Sequence, residues 1–176
     1  MFNFIKEILL INRLMHPDVQ ISSHSKVYLN TIVNKFLMFI ITCIKEGSNL
    51  NKRFKDILGS ELYNHTILNC ESNSGKWTSI SGYINISSKK INDICIKHNV
   101  YLDENEIKFL SCAIEYMLSE ILELSGNACR DNKKIRLSND HINIAIRNDN
   151  ELSDLFGIMD INITAYSKKK RKTSRK

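Results

Sequence analysis

The chain predicts an all-α protein made of two helix sets in tandem, each running short, long, short. Three observations carry that expectation. One proline and six glycines in 176 residues supply too few turn residues for a β architecture. Apolar residues recur at spacings of three and four through the longest segments, the period of a helix with one buried face. Each long apolar segment is followed by a short basic loop, so one plan appears twice. The length suits one domain or two very small ones, and 43% apolar residues supply a core, which excludes global disorder.

The first set opens with an amphipathic helix over 2–15. His16-Pro17-Asp18 ends it, because the proline pushes the residues before it toward extended backbone. Ser22 or Ser23 caps a long helix reaching about Gly47 or Asn51. Ile32, Phe36, Phe39, Ile40, Cys43 and Ile44 give it one broad apolar face. The basic patch Asn51-Lys52-Arg53 follows, then one or two short helices over 54–58 and 61–70, separated near Gly59. Residues 71–87 are rich in Ser, Asn and Gly, lack periodicity and hold the only Trp, which marks a linker.

The second set repeats the order. Ser87 or Ser88 caps a short helix over 89–98, and Asp103 caps a long one over 104–129. The basic loop 130–136 follows. Ser138 or Asn139 opens a third helix that includes 140–146, and 151–156 is a last helical turn ended by Gly157. One such set alone leaves its long helix exposed. Two sets packed head to tail cover each other, and a covalent link makes that handshake intramolecular. The resulting divisions are 1–72, a linker at 73–87, 88–160, and a basic tail at 161–176.

Charge is unevenly spread. The net charge is +6 and the pI about 9.0, yet seven of the 25 Lys and Arg fall after residue 167, leaving 18 against 19 acidic groups in the rest. The body is charge-balanced and the tail is a polycation. Such a tail gains by lying on phosphates and releasing their counterions. A solvated end, a nuclear-localisation signal or an anionic membrane surface are the other uses of the same composition. Cys43, Cys70, Cys95, Cys112 and Cys129 are odd in number and far apart, so they read as buried free thiols in a reducing compartment. Nothing in the His, Cys and carboxylate spacing suggests a metal cage, and no cofactor is implied. The first 15 residues are apolar but carry Lys6 and Glu7, unlike a signal peptide, and no stretch approaches a charge-free membrane span. The expectation is a soluble intracellular protein. Catalysis is not expected: the sequence has no glycine-rich phosphate loop, nucleophile elbow or zinc spacing.

The run AIEYMLSEILELSGNACRDNKKIRLSNDHINIAIRNDNELSDLFG over 113–157 resembles the middle of core histone two-A without gaps. That family's most recognisable strings are EYL..EILEL.GNAARDNKK.R and AIRND.EL..LLG. The first half resembles histone two-B. His16-Pro17-Asp18-Val19-Gln20-Ile21-Ser22-Ser23 corresponds to HPDTGISS, the spacing to Asn30 and to Asn51-Lys52-Arg53 is kept, and Gly59-Ser60-Glu61-Leu62-Tyr63-Asn64-His65 corresponds to PGELAKH. Between Arg53 and Gly59 only five residues stand where the family has a loop and a third helix. Either that helix is deleted, or the long helix ends near Gly47 and residues from Phe54 replace it. A two-B-like half followed by a two-A-like half resembles the fused histone doublets of Marseillevirus-type giant DNA viruses, in a small, tail-trimmed form. The resemblance covers 2–70 and 86–157 and implies two histone folds.

It also implies site residues. Lys133, Lys134 and Arg136 stand at a DNA-gripping loop, with Arg136 at the position that enters the minor groove. Lys52 and Arg53 match the equivalent loop of the first half. Ser22 and Ser23 stand where amides and hydroxyls meet a phosphate, and Lys90 is at a contact position on the short helix. Lys168, Lys169, Lys170, Arg171 and Lys172 add a basic arm. Asp93 and Ile96 stand where the family has arginines, and His24 where it has a lysine, so a looser grip than a eukaryotic nucleosome's is expected.

A second set is acidic. Glu115, Glu120 and Glu123 lie at roughly 0°, 140° and 80° around one helix at about 100° per residue, so they are expected on one side. With Asp149, Glu151 and Glu61 they correspond to the family's acidic patch, a dock for arginine-bearing partners. Asn150 and Asn69 replace two of its acids. The segment by which histone two-A meets the histone-three/four tetramer is shortened to 158–167.

The resemblance implies a DNA-wrapping histone doublet that compacts a viral genome. Its partners would be double-stranded DNA and histone-three/four-like histones, expected in the form of a second doublet, with arginine-anchored chromatin factors at the acidic patch and no membrane. Its location would be the virion and viral factory, with the host nucleus opened to it by the basic tail. The other reading is a histone-fold interaction module that forms no nucleosomes and engages chromatin factors through that patch.

Overall fold

The structure, a computed structural model, describes residues 1–46, 55, 56, 58, 62–68 and 85–161. In chain order they form α1 (Ile5–Met15), β1 (Gln20–Ile21), α2 (Ser23–Lys45), α3 (Ser88–Lys97), α4 (Glu104–Asp131), β2 (Arg136–Leu137), α5 (Asn139–Asn148) and α6 (Asn150–Ile158). Residues 62–68 are also helical. The short–long–short order holds for α3, α4 and α5, and short then long holds for α1 and α2.

Caps set most boundaries. The Ser22 hydroxyl accepts the Ser25 amide at the start of α2, and Ser87 does the same for Lys90 at the start of α3. Asp103 and Glu106 form a reciprocal capping box on α4. Asp149 ends α5 and caps α6, its carboxylate accepting the Leu152 amide at 2.8 Å. Several boundaries differ from expectation: α2 ends at Lys45 and α4 runs two residues past Cys129 to Asp131. α1 begins three residues later than predicted, because Asn30 and Asn34 of α2 bind the segment before it. Asn34 accepts from the Phe2 amide at 2.7 Å and donates to the Phe2 carbonyl at 2.8 Å; Asn30 accepts from the Phe4 amide at 2.7 Å. α6 runs through Gly157 to Ile158, and a left-handed Asp160 follows it.

α4 is the axis of the molecule, with α1, α2, α3 and α5 packed against it. Its buried stripe includes Leu110, Ile114, Met117, Leu118, Ile121 and Leu122. α2 adds Leu29, Ile32, Val33, Phe36, Leu37 and Ile40 to the same core, all buried; Phe39, Cys43 and Ile44 are partly buried. By length and hydropathy alone α2 could cross a membrane, but more than half of its most apolar window is buried within the protein, as in a core helix. Cys95, Cys112 and Cys129 are buried free thiols and Cys43 is half-buried. Burial raises the Cys95 thiol to about 11, which makes it unreactive near neutrality.

The two halves approach closely at His16 and Gly126. The His16 ring is 3% exposed and its Nε2 lies 3.0 Å from the Glu123 carbonyl. A Cβ on Gly126 would fall 2.0 Å from the His16 ring, so only glycine admits the imidazole.

Candidate nucleic-acid interface

The loop after α1 and the loop after α4 pair as a two-residue parallel ladder, Gln20 with Arg136 and Ile21 with Leu137. Ile21 and Leu137 point into the core, which leaves Gln20 and Arg136 outward. The Gln20 amide donates to the Ile135 carbonyl at 2.9 Å, and the Ser22 amide to the Leu137 carbonyl at 3.0 Å. Ser25 then donates to the Asn139 side chain at 2.8 Å, and Tyr28 to Asn143 at 2.9 Å. This seam fixes the N-terminus of α2 beside the basic loop, although the two are more than 110 residues apart in sequence.

The loop itself is shaped by how α4 ends. Lys133 takes a left-handed conformation, φ 54°, and the Lys134 amide reaches back to the Cys129 carbonyl at 2.9 Å. Lys133, Lys134, Ile135 and Arg136 are all exposed, as are Ser23 and His24 in the first turn of α2. Cations and the positive end of a helix dipole therefore share one ridge. Arg130 at its edge is bound in a two-point exposed pair with Asp18, at 2.6 and 3.2 Å. The pair draws the Asp18 carboxyl below its ordinary range, chiefly through that hydrogen bond.

Two expected contacts are differently employed. The Ser22 hydroxyl caps α2 and its amide is committed to the seam, so Ser23 is the serine that faces outward. Lys90 turns inward. Its ammonium pairs with Glu7 at 2.7 Å, donates to the Asn3 carbonyl and lies 4.2 Å from the Phe4 ring centroid. A lysine held by a carboxylate, a carbonyl and a ring ties α3 to α1 while its side chain stays 30% exposed. Lys52, Arg53, Lys168, Lys169, Lys170, Arg171 and Lys172 lie outside the described residues.

The acidic residues divide as well. Leu62, His65, Tyr116, Glu120, Asp149, Glu151 and neighbouring residues line a polar cleft of about 360 Å³. Burial lifts the Glu120 carboxyl above its usual range and the Glu123 and Asp149 charges add to this, while His65 and a hydrogen bond with Tyr116 oppose it. Glu123 is exposed. Glu115 does not join them, and its expected place in an outward patch is corrected: it is 5% exposed. Its carboxylate accepts from the Asn85 amide, the Asn85 side chain at 2.8 Å and the Ile86 amide at 3.0 Å. It fixes the entry to α3 and presents nothing outward. Glu61 lies outside the described residues. Sequence reasoning missed His65 and Tyr116, whose rings stack at 5.6 Å and 8° over the cleft. The four-residue step from Tyr116 to Glu120 along α4 was the available signal.

Comparison with known proteins bears on the second helix set. Residues 82–148 match the family described as the core histone domain of histones two-A, two-B, three and four. The chain is 53% identical over 53 residues to a probable histone two-A of Oryza sativa subsp. indica, covering 30% of this chain and 39% of that protein. It is 53% identical over 53 residues to a probable histone two-A of Arabidopsis thaliana, covering 30% and 40%. The chain thus spans about two-fifths of the length of these relatives. The matched region holds α3, α4, the basic loop and all of α5, so residues 82–148 form a histone-fold domain with homology to histone two-A.

Proposed function

We propose that the chain is a DNA-packaging histone doublet, with histone folds over 1–72 and 88–160 in an intramolecular handshake, a linker at 73–87 and a basic tail at 161–176. It binds duplex DNA without sequence preference along the ridge of Ser23, Lys133, Lys134 and Arg136, and compacts a viral genome of the Marseillevirus type in the virion and viral factory. The observation that carries this reading is the parallel pairing of Gln20–Ile21 with Arg136–Leu137. It brings a helix N-terminus and a basic loop from opposite ends of the chain onto one surface, and phosphate is the chemistry that both attract. Arg136, outward on the ladder, is the side chain for the minor groove. Lys52, Arg53 and the cations at 168–172, which lie outside the described residues, would add phosphate contacts by their charge, and a histone-three/four-like doublet completes the particle.

The test is reconstitution of the full chain with DNA and a histone-three/four-type doublet, followed by micrococcal nuclease. The expected result is a discrete protected fragment that is lost when Arg53 and Arg136 are both changed to Ala. A smear no better protected than with the partner alone rejects the packaging role.

One observation favours a second reading. The cleft of Glu120, Asp149 and Glu151 combines carboxylates with the stacked His65–Tyr116 pair, which suits an arginine-bearing partner. If no particle forms, the protein is an interaction module working through that cleft.

A further inference from the structure

A second concavity lies away from both the ridge and the acidic cleft, between the N-terminal segment, α2 and the end of α3. It is an open groove of about 480 Å³. Phe2 and Met38 give it an apolar lining that the exposed Met1 extends, Lys35, Lys97 and His98 line it as well, and its described lining contains no carboxylate. Phe2 is the fixed part of that lining. Asn34 holds the Phe2 backbone at both its amide and its carbonyl, and Asn30 holds the same carbonyl at 3.0 Å. The Phe2 ring is then fixed edge-on against His98 at 6.1 Å, with the Lys97 ammonium 5.6 Å from its centroid.

Rigid duplex DNA fits this shape poorly, because its phosphates lie on a convex surface and the groove has an apolar lining. An apolar side chain flanked by carboxylates matches both parts at once. Its body would lie on the Met and Phe lining, with soft thioethers adapting to its outline, and its acidic neighbours would reach the cations beside it. We propose that this groove docks an acidic peptide segment of a partner protein, anchored by one aromatic side chain. The proposal does not depend on DNA packaging, since none of the ridge residues takes part.

The test is fluorescence anisotropy of the full chain with two labelled synthetic peptides. One has a phenylalanine flanked on each side by three glutamates, and the other has alanine in its place. The phenylalanine peptide is expected to bind at least about tenfold more tightly, the loss usual for a buried aromatic anchor. Lys35→Glu, a change at an exposed position, is expected to weaken it about fivefold through the lost charge match. The K134A/R136A protein is expected to bind it as the parent does. Equal binding of the two peptides overturns the proposal. So does the absence of saturable binding, or loss of binding in K134A/R136A with none in Lys35→Glu. Nuclease protection is read separately, so failure here leaves the packaging reading standing and the reverse also holds.

Discussion

Replacing Gly126 with alanine sets a helix preference against a tertiary contact, and the structure indicates which wins. In a helix interior alanine is favoured over glycine by about 0.8–1 kcal/mol. Here the added Cβ would lie 2.0 Å from His16 Cδ2, 2.2 Å from Nε2 and 2.7 Å from Cγ. The ring is 3% exposed and cannot yield without leaving its place. Overpacking of this kind costs about 1–3 kcal/mol, and losing the 3.0 Å bond to the Glu123 carbonyl costs about 1 kcal/mol more. Net destabilisation of about 1–3 kcal/mol is expected. Urea denaturation of the parent, G126A, H16A and the double variant measures it. With His16 reduced to alanine, the same Gly126→Ala change should become stabilising, so the two positions should couple by about 2–4 kcal/mol. A G126A protein as stable as its parent, or additive effects, would refute the packing of the His-Pro-Asp turn on α4.

Other outcomes follow from the same geometry. Lys133→Gly relieves a left-handed non-glycine backbone and should raise stability by about 1 kcal/mol, while lowering the salt dependence of DNA binding by about one unit of slope; a melt and a salt titration read the two effects separately. Glu115→Gln should cost about 1–3 kcal/mol by disrupting hydrogen bonds from Asn85 and Ile86, and should leave capture of an arginine-bearing peptide unchanged. The Glu120 carboxyl is raised in the fold, so the folded state holds its proton to higher pH than the unfolded chain. The sign follows: its contribution favours the fold at low pH and is lost as pH rises from the ordinary glutamate value through the raised one. Glu120→Gln should therefore flatten the stability profile across that window and stabilise the protein at pH 7, as followed by thermal melts.

Much of this was legible in the sequence, because caps and apolar periods are local. Ser22, Ser87 and Asp103 mark helix starts wherever the rest of the chain lies, and the spacing of Ile32, Phe36 and Ile40 fixes which side of α2 is buried. What failed depended on distant partners. Residues 2–4 suit a helix until Asn30 and Asn34 take their backbone. Lys90 reads as an unpaired surface cation until Glu7, from the first helix, pairs with it. Glu115 shares a nominal helix side with Glu120 and Glu123, but an arc of about 140° is wide enough for one end to be covered by Asn85 and Ile86. The basic loop was readable as a motif, whereas its pairing with Gln20–Ile21 was not, since a two-residue ladder has no sequence period of its own.

The salt dependence of DNA affinity tests the central claim most directly. The parent and K134A/R136A would be titrated against two unrelated duplexes across a range of salt. Both lysine and arginine are exposed, so melting temperatures should match. The slope of log affinity against log salt should fall by about two units in the variant, equally on both duplexes. An unchanged slope, or a loss confined to one duplex, would contradict the assignment of the paired loops as a phosphate-binding surface.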